Sequence, residues 1–446
     1  MRKKQFYAIA GMSLLAIAAL SIRQVQSQTR FDLQGQFLAV ISDGDFFAST
    51  YVDGRIPGAD SRYRDALTLI PLPFDGERVS VEVSNSVNGP PETLALSPDG
   101  RTAYVVEYMG QRPVGATTRS DLLAGRFLSQ VDLTDPRQPR VLSRIEVGHF
   151  PEAIDVHPEG KWVAIATDSS ESEVLQLVPV QDSSLGEPMN ISLESLGIPA
   201  AEGPLNASYV EWHPSGEYLV VNLYRQNRIV FLRFTQDSTG EANLSLWGNP
   251  VAVDVDPYSG RLTPDGKHFI TANWKRDFTA DSLEGRLPSE PSTVSVIRLD
   301  VDDSASENHT AYHQVITTVA SAQSSEGIAI SPDGTLVATA NMRDTALPTD
   351  SPRFTRDATV SLFAFDAVSG QLAKAADFAF EGVLPEGLTF DATGEHLIVA
   401  TFEYLNSEEP GGGLEVWRIS QEPAPNLEYV GRINVPHGSH QVVVAP

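Results

Sequence analysis

The chain of 446 residues contains no cysteine. That excludes disulfides, thiolate metal sites and a lipid-modified cysteine anchor. An exported chain of this length without disulfides must rely on a large apolar core, which 41% hydrophobic residues can supply. Positive charge is scarce too: 32 Lys and Arg face 58 Asp and Glu, a formal net charge of −26. Such a surface repels phosphate backbones and anionic lipid, which argues against nucleic-acid binding. Long apolar runs are missing with one exception, at the start. There "MRKKQFYAIAGMSLLAIAALSIRQVQSQ" has a basic head at Arg2, Lys3 and Lys4, an apolar run from Phe6 to Ile22, and Val25 and Ser27 placed as in a cleavage site. We read residues 1–27 as a secretory signal peptide, with an uncleaved anchor as the alternative, although the run is short for a bilayer. Its removal takes away four positive charges and leaves −30. A periplasmic or extracellular location and a monomeric state are expected. Phosphate-binding glycine loops, a serine nucleophile elbow and an H-E-x-x-H element are absent as well.

What is present is repetition. "ETLALSPDGRTAYVVEY" from Glu92, "EAIDVHPEGKWVAIATD" from Glu152, "SYVEWHPSGEYLVVNLY" from Ser208, "EGIAISPDGTLVATANM" from Glu326 and "EGLTFDATGEHLIVATF" from Glu386 are variants of one pattern. "YSGRLTPDGKHFITANW" from Tyr258 is a degenerate copy, in which Arg261 stands where a small or apolar residue is expected. The turn prolines or their equivalent fall at Pro98, Pro158, Pro214, Pro264, Pro332 and Ala392, 50 to 68 residues apart. Two further β-rich stretches follow each opening pair, as "ATVSLFAFDAVSGQLAKAADFAF" follows "VATANM". Helical periodicity is almost absent. Four strands per unit, rich in Val, Ile, Leu and aromatics, predict propeller blades. The last residues, "HQVVVAP" (440–446), match a first strand that stops at its turn, and "FDLQGQFLAVISDG" from Phe31 begins at that turn. With Thr68–Pro73 and Val79–Val83 outside them, these ends make one blade beside six internal ones. The expectation is an all-β, seven-bladed β-propeller over residues 28–446, closed by strands from both termini, which leaves no open sheet edge at the junction.

The pattern carried by "IAISPDGTLVATAN" and "RLTPDGKHFITAN", and more loosely by "LALSPDGRTAYVVE", resembles the exported YVTN-type and lactonase-type seven-bladed propellers. The resemblance spans nearly the whole chain after residue 27. It implies the architecture, and it implies a lactone-opening hydrolase as one activity such a scaffold carries.

Blade topology divides the residues between two faces. The S-P-D-G turns lie on one and are read as structural, with Pro at the second turn position and Gly supplying left-handed backbone. The long loops Met109–Phe127, Lys275–Ser292, Arg343–Ala358 and Glu403–Gly413 lie on the other, where loops of this length are commonly functional. That face also receives the residue six places before each turn proline: Glu92, Glu152, Ser208, Tyr258, Glu326, Glu386 and His440. Glu107, Asn273, Asn341 and Glu403 end the second strands nearby. Such a ring could bond neighbouring blades, hold calcium or another divalent cation through Glu92, Glu152, Glu326 and Glu386, or house a base whose pKa is raised by its neighbours. The main expectation is binding of a ligand, cation or exported protein partner, with Ser208, Tyr258, Asn273, Asn341, Arg276 and Arg343 among the contacts. The alternative is lactone hydrolysis. Glu326 or Glu386 would then activate water, His440 would assist proton transfer, and Arg343 or Arg276 would stabilise the oxyanion. The resemblance bears on His440, since lactonase-type propellers commonly place a His there in a G-x-x-P-x-H element. Here Gly438 lies only two residues before it.

His149 and His437 each precede a ring member by three residues, and with His440 they could bind zinc or copper. The basic clusters at Lys275 to Asp277 and Arg343 to Thr345, with Arg353 and Arg356, could clamp an anion or pair with nearby acids to order the loops. "DVDDSASE" (300–307) lacks the glycine and spacing of an EF-hand and is read as a solvated turn.

Overall fold

A computed structural model describes residues 31–445 except 59–61, 86–91, 169–173, 201–204, 239, 302–311 and 406–410. The signal-peptide segment lies outside the described residues, as do most of the 300–307 stretch and the middle of the Glu403–Gly413 loop. Among the described residues no helix is long and apolar enough to cross a membrane.

The strands sort into seven antiparallel sheets, each a meander of at least four strands. The innermost strands are Leu94–Leu96, Pro151–Val156, Tyr209–Trp212, Pro257–Leu262, Ser325–Ile330, Val383–Phe390 and Ser439–Ala445. Each touches the next in turn, and Ser439–Ala445 touches Leu94–Leu96, so the ring closes. This is the seven-bladed propeller expected from the repeats. Closure takes the expected form: Phe37–Ser42 pairs with Ala66–Pro71 on one side and with Ser439–Ala445 on the other.

Second strands such as Trp162–Thr167, His268–Asn273 and Leu336–Asn341 are buried throughout, because both faces pack against neighbouring blades. Outer strands alternate or are mostly exposed, as in Val79–Glu82 and Arg140–Glu146.

The turns bear their load locally. Asp99 accepts from Ser97 Oγ at 2.6 Å and Asp333 from Ser331 Oγ at 2.6 Å, while Gly100 and Gly334 take φ near +70°. In two blades a histidine replaces that serine. His157 Nδ1 accepts the Glu159 N–H, which leaves the proton on Nε2 to reach the Gly216 carbonyl of the next blade at 3.1 Å. His213 repeats this with Ser215 N–H and the Gly266 carbonyl. These histidines clasp adjacent blades.

One backbone device recurs at the opposite end of the inner strands. The sheet register slips at Glu152, Tyr258, Glu326, Glu386 and His440, so each of these sits in a bulge. Two residues earlier the chain is left-handed every time, at Phe150, Asp256, Ser324, Leu384 and Gly438. In four of the five, the carbonyl of that residue accepts the N–H just past its second strand: Asp168, Trp274, Met342 and Asp43. The bulge carries the ring side chain at the mouth of the channel.

Candidate functional site

Four ring residues line one cavity of about 330 Å³ on the loop-rich face: Glu152, Tyr258, Glu326 and Glu386. Adjacent inner strands approach closely there. A Cβ on Gly327 would lie 2.1 Å from the Glu386 carbonyl oxygen and one on Gly387 2.7 Å from that of His440, so each glycine lets the next inner strand pack close, and Glu326 and Glu386 face the same cavity. All three glutamates are nearly inaccessible. Tyr258 donates its hydroxyl to Glu152 Oε1 at 2.6 Å. Glu152 Oε2, Glu326 Oε1 and Glu386 Oε2 are buried without a hydrogen-bond partner among the described residues. Burial holds all three carboxyls well above the ordinary carboxylate range, and Glu386 raises Glu326 further. Two such groups in one cavity repel when both are ionised, which favours states in which at least one keeps its proton.

Arg276 supplies the opposing charge. Its Nε and Nη2 grip Asp256 at 2.8 and 3.0 Å, and its guanidinium lies 4.0 Å from the Trp274 ring centre and 4.2 Å from that of Tyr258. Asp256 is the left-handed residue of its blade and is fully buried, so one backbone kink anchors both Tyr258 and Arg276. Close to Glu152, whose carboxyl its charge raises further, Asp168 accepts from the hydroxyls of Tyr108 and Tyr224 and from Asn206.

The other ring members are placed elsewhere. Glu92 is held by Arg261 Nη2 at 2.8 and 3.0 Å, across the channel. That pair accounts for the arginine in the degenerate repeat. Arg261 also donates to Tyr209, and Asp155 and Glu211 lie near it, with pKa values pushed up by burial to about 7 and about 8. Ser208 Oγ donates to the Tyr258 carbonyl. His440 Nε2 faces Asn85 Oδ1 at 3.0 Å and is not part of the cavity wall. Asn273 and Asn341 bond within their own blades, and Glu107 meets Arg144 at 2.6 Å.

The metal expectations need correcting in their geometry. The four glutamates are not one donor set, because Arg261 draws Glu92 away from the other three. His149 is exposed, and His437 donates to the Phe46 carbonyl at 2.7 Å, so the three histidines are not gathered. Among the described residues no three His, Asp or Glu side chains are grouped to hold an ion. The basic clusters order loops instead of standing free. Lys275 pairs with Asp254, Arg353 with Asp344, and Arg356 with Glu381. Arg343 bonds the Asp357 carbonyl.

Sequence reasoning missed Tyr51, Asp168, Tyr224 and Trp274 on the cavity wall. A signal existed for three of them. Ten residues after the turn prolines stand Tyr108, Asp168, Tyr224, Trp274 and Met342, all of which line the cavity. Tyr51 carries no repeat signal, since it lies in the long connection of the composite blade.

No family model matches the chain, and no curated protein matches it. Solved structures do. A candidate 6-phosphogluconolactonase of Bacteroides fragilis aligns at 16% identity with a TM-score of 0.61, covering 92% of this chain and 98% of its own. A second candidate 6-phosphogluconolactonase, from Bacteroides uniformis, aligns at 17% and 0.60, covering 92% and 99%. The periplasmic gluconolactonase of Pseudomonas aeruginosa aligns at 16% and 0.60, over the same shares. At such identities the likeness is one of fold: this chain has the seven-bladed propeller found in those lactonase-like proteins.

Proposed function

We propose that the protein is an exported hydrolase that opens polyhydroxylated lactones in the cavity formed by Glu152, Glu326, Glu386 and Arg276. The observation that carries the reading is the trio of buried carboxyl oxygens without partners, set beside a fixed guanidinium. A proton-sharing pair suits the reaction. The ionised member of Glu326 and Glu386 takes a proton from water as the oxygen bonds to the lactone carbonyl carbon. The carbonyl electrons move onto oxygen, within the positive field of Arg276. The protonated member then gives its proton to the ring oxygen as the acyl–oxygen bond breaks. The pair ends with its roles exchanged and its total charge unchanged. The new carboxylic acid releases its own proton to solvent.

Glu152, oriented by Tyr258, is left to hydrogen-bond a substrate hydroxyl through its unpartnered Oε2. Arg119 and Arg225 line the cavity with no carboxylate partner among the described residues, which supports acceptance of an anionic substituent. The binding of a cationic ligand is less well supported, because Arg276 already occupies the faces of Trp274 and Tyr258. The N-terminal pattern and the periplasmic neighbour support export.

The test is hydrolysis of glucono-lactone and 6-phosphoglucono-lactone, followed by acid release against the spontaneous rate. Wild type should accelerate one of them, and Glu386→Gln should lose about 100-fold or more. A wild type no faster than buffer overturns the reading.

A further inference from the structure

The long connection of the composite blade roofs the cavity, and it is built to hold one side chain there. Residues 50–53 form a single helical turn, capped by left-handed Gly54. Thr50 is buried, donates to the Arg55 carbonyl and accepts the Phe47 N–H. Four bonds tie the segment to the strands and loops around it. His437 donates to the Phe46 carbonyl at 2.7 Å, and the Ala48 N–H reaches Glu403 Oε1 at 2.8 Å. The Arg119 N–H meets the Gly54 carbonyl at 2.7 Å, and the Ile56 N–H meets that of Thr117. Tyr51 projects from this turn into the cavity, its ring 5.5 Å from that of Phe46.

We infer that Tyr51 is a further catalytic residue, whose hydroxyl donates a hydrogen bond to the carbonyl oxygen of the bound lactone. The inference rests on the hydrolase reading above. Its own support is the state of that hydroxyl, which is buried and meets no hydrogen-bond partner among the described residues. A buried orphan donor costs stability, so its natural complement is an acceptor brought by the ligand. Glu386, Asp43 and Glu326 are, in that order, the carboxyls that act on it, and Glu386 and Glu326 line the same cavity, so an acceptor bonded to it there shares the space of the pair that moves the protons. Burial and those carboxyls hold the phenol above its ordinary value, so it stays protonated and keeps its O–H to donate. A donor fixed before the reaction gains strength as charge grows on the carbonyl oxygen, which lowers the barrier more than it tightens binding.

Tyr51→Phe removes one oxygen and keeps the ring. Turnover of the lactone that wild type hydrolyses should fall about 10- to 1000-fold with KM within about threefold. The melting temperature should not fall, because no hydrogen bond is lost. A Tyr51→Phe protein with undiminished kcat sinks the inference, and if Glu386→Gln is inactive in the same assay the hydrolase reading survives. A variant that loses activity and melts several degrees lower shows a structural hydroxyl and also sinks it. A wild type inert on every lactone removes both readings together.

Discussion

At the scale of single residues, burial favours the protonated form of the glutamates at 152, 326 and 386, which ties stability to pH. A carboxyl whose pKa rises on folding binds its proton more tightly in the folded state. Its contribution is full below the ordinary value near 4.5 and is lost as pH rises through the raised one. Glu386→Gln should therefore melt higher than wild type at pH 8 and show a smaller difference at pH 5, by calorimetry at both. The guanidinium of Arg276 depends on its fork. Arg276→Lys keeps the charge but cannot reproduce the two-point grip on Asp256, and chemical denaturation should show a loss of about 2 kcal/mol. Arg261 has a comparable part in the channel. Replacing it by Met strands Glu92 with no counter-charge, and the loss should be about 3 kcal/mol. These partners lie on different blades, so no local pattern points from Glu92 to Arg261.

At the scale of elements, a left-handed residue followed by a bulge starts five of the inner strands. Ser324 holds this conformation without the freedom of glycine, and its buried hydroxyl has no partner among the described residues. Ser324→Gly should remove both costs and raise stability by about 1 kcal/mol, read as a higher denaturant midpoint with an unchanged slope. The repeated turn and the strand alternation were legible from sequence, because turn chemistry and period-two burial are local. The bulges were not, since the residues two places before the ring (Phe150, Asp256, Ser324, Leu384 and Gly438) share no side-chain chemistry. The His157 and His213 clasps were readable only as substitutions for serine. Their reach to the next blade depends on how blades stack.

At the scale of the molecule, closure through the termini makes the ring cooperative. Deleting residues 439–446 would bare the edge of Phe37–Ser42 and the flank of the neighbouring inner strands. The truncated chain should lose its sharp melting transition and aggregate, as seen by light scattering on heating. The whole-protein pH profile follows from its buried acids. Asp155 and Glu403, pushed up to about 7, and Glu211, pushed up to about 8, titrate between pH 6.5 and 8.5. Their folded-state values are raised, so stability falls as pH rises from the ordinary carboxylate range near 4 up to that window. The histidines act below it: burial lowers His157 and His213, and His437 to about 4, so their contribution is lost as pH falls beneath 6.5. The melting temperature should decline as pH rises from 6.5 to 8, where the buried acids act without opposition from the histidines.

The sequence by itself determined the number of blades, the joined termini and the face that carries the ring, because each follows from short-range spacing repeated along the chain. It also put seven residues in one register without saying which of them meet. Only the tertiary structure separated Glu152, Glu326 and Glu386 from Glu92, since what a channel-facing carboxyl does is decided by the opposite wall. Arg261 stands across from Glu92, Arg276 lines the cavity with the other three, and both arginines belong to one irregular blade. Tyr51 reaches the same cavity from a connection with no repeat of its own. Side chains hundreds of residues apart acquire a shared chemistry only when the ring closes.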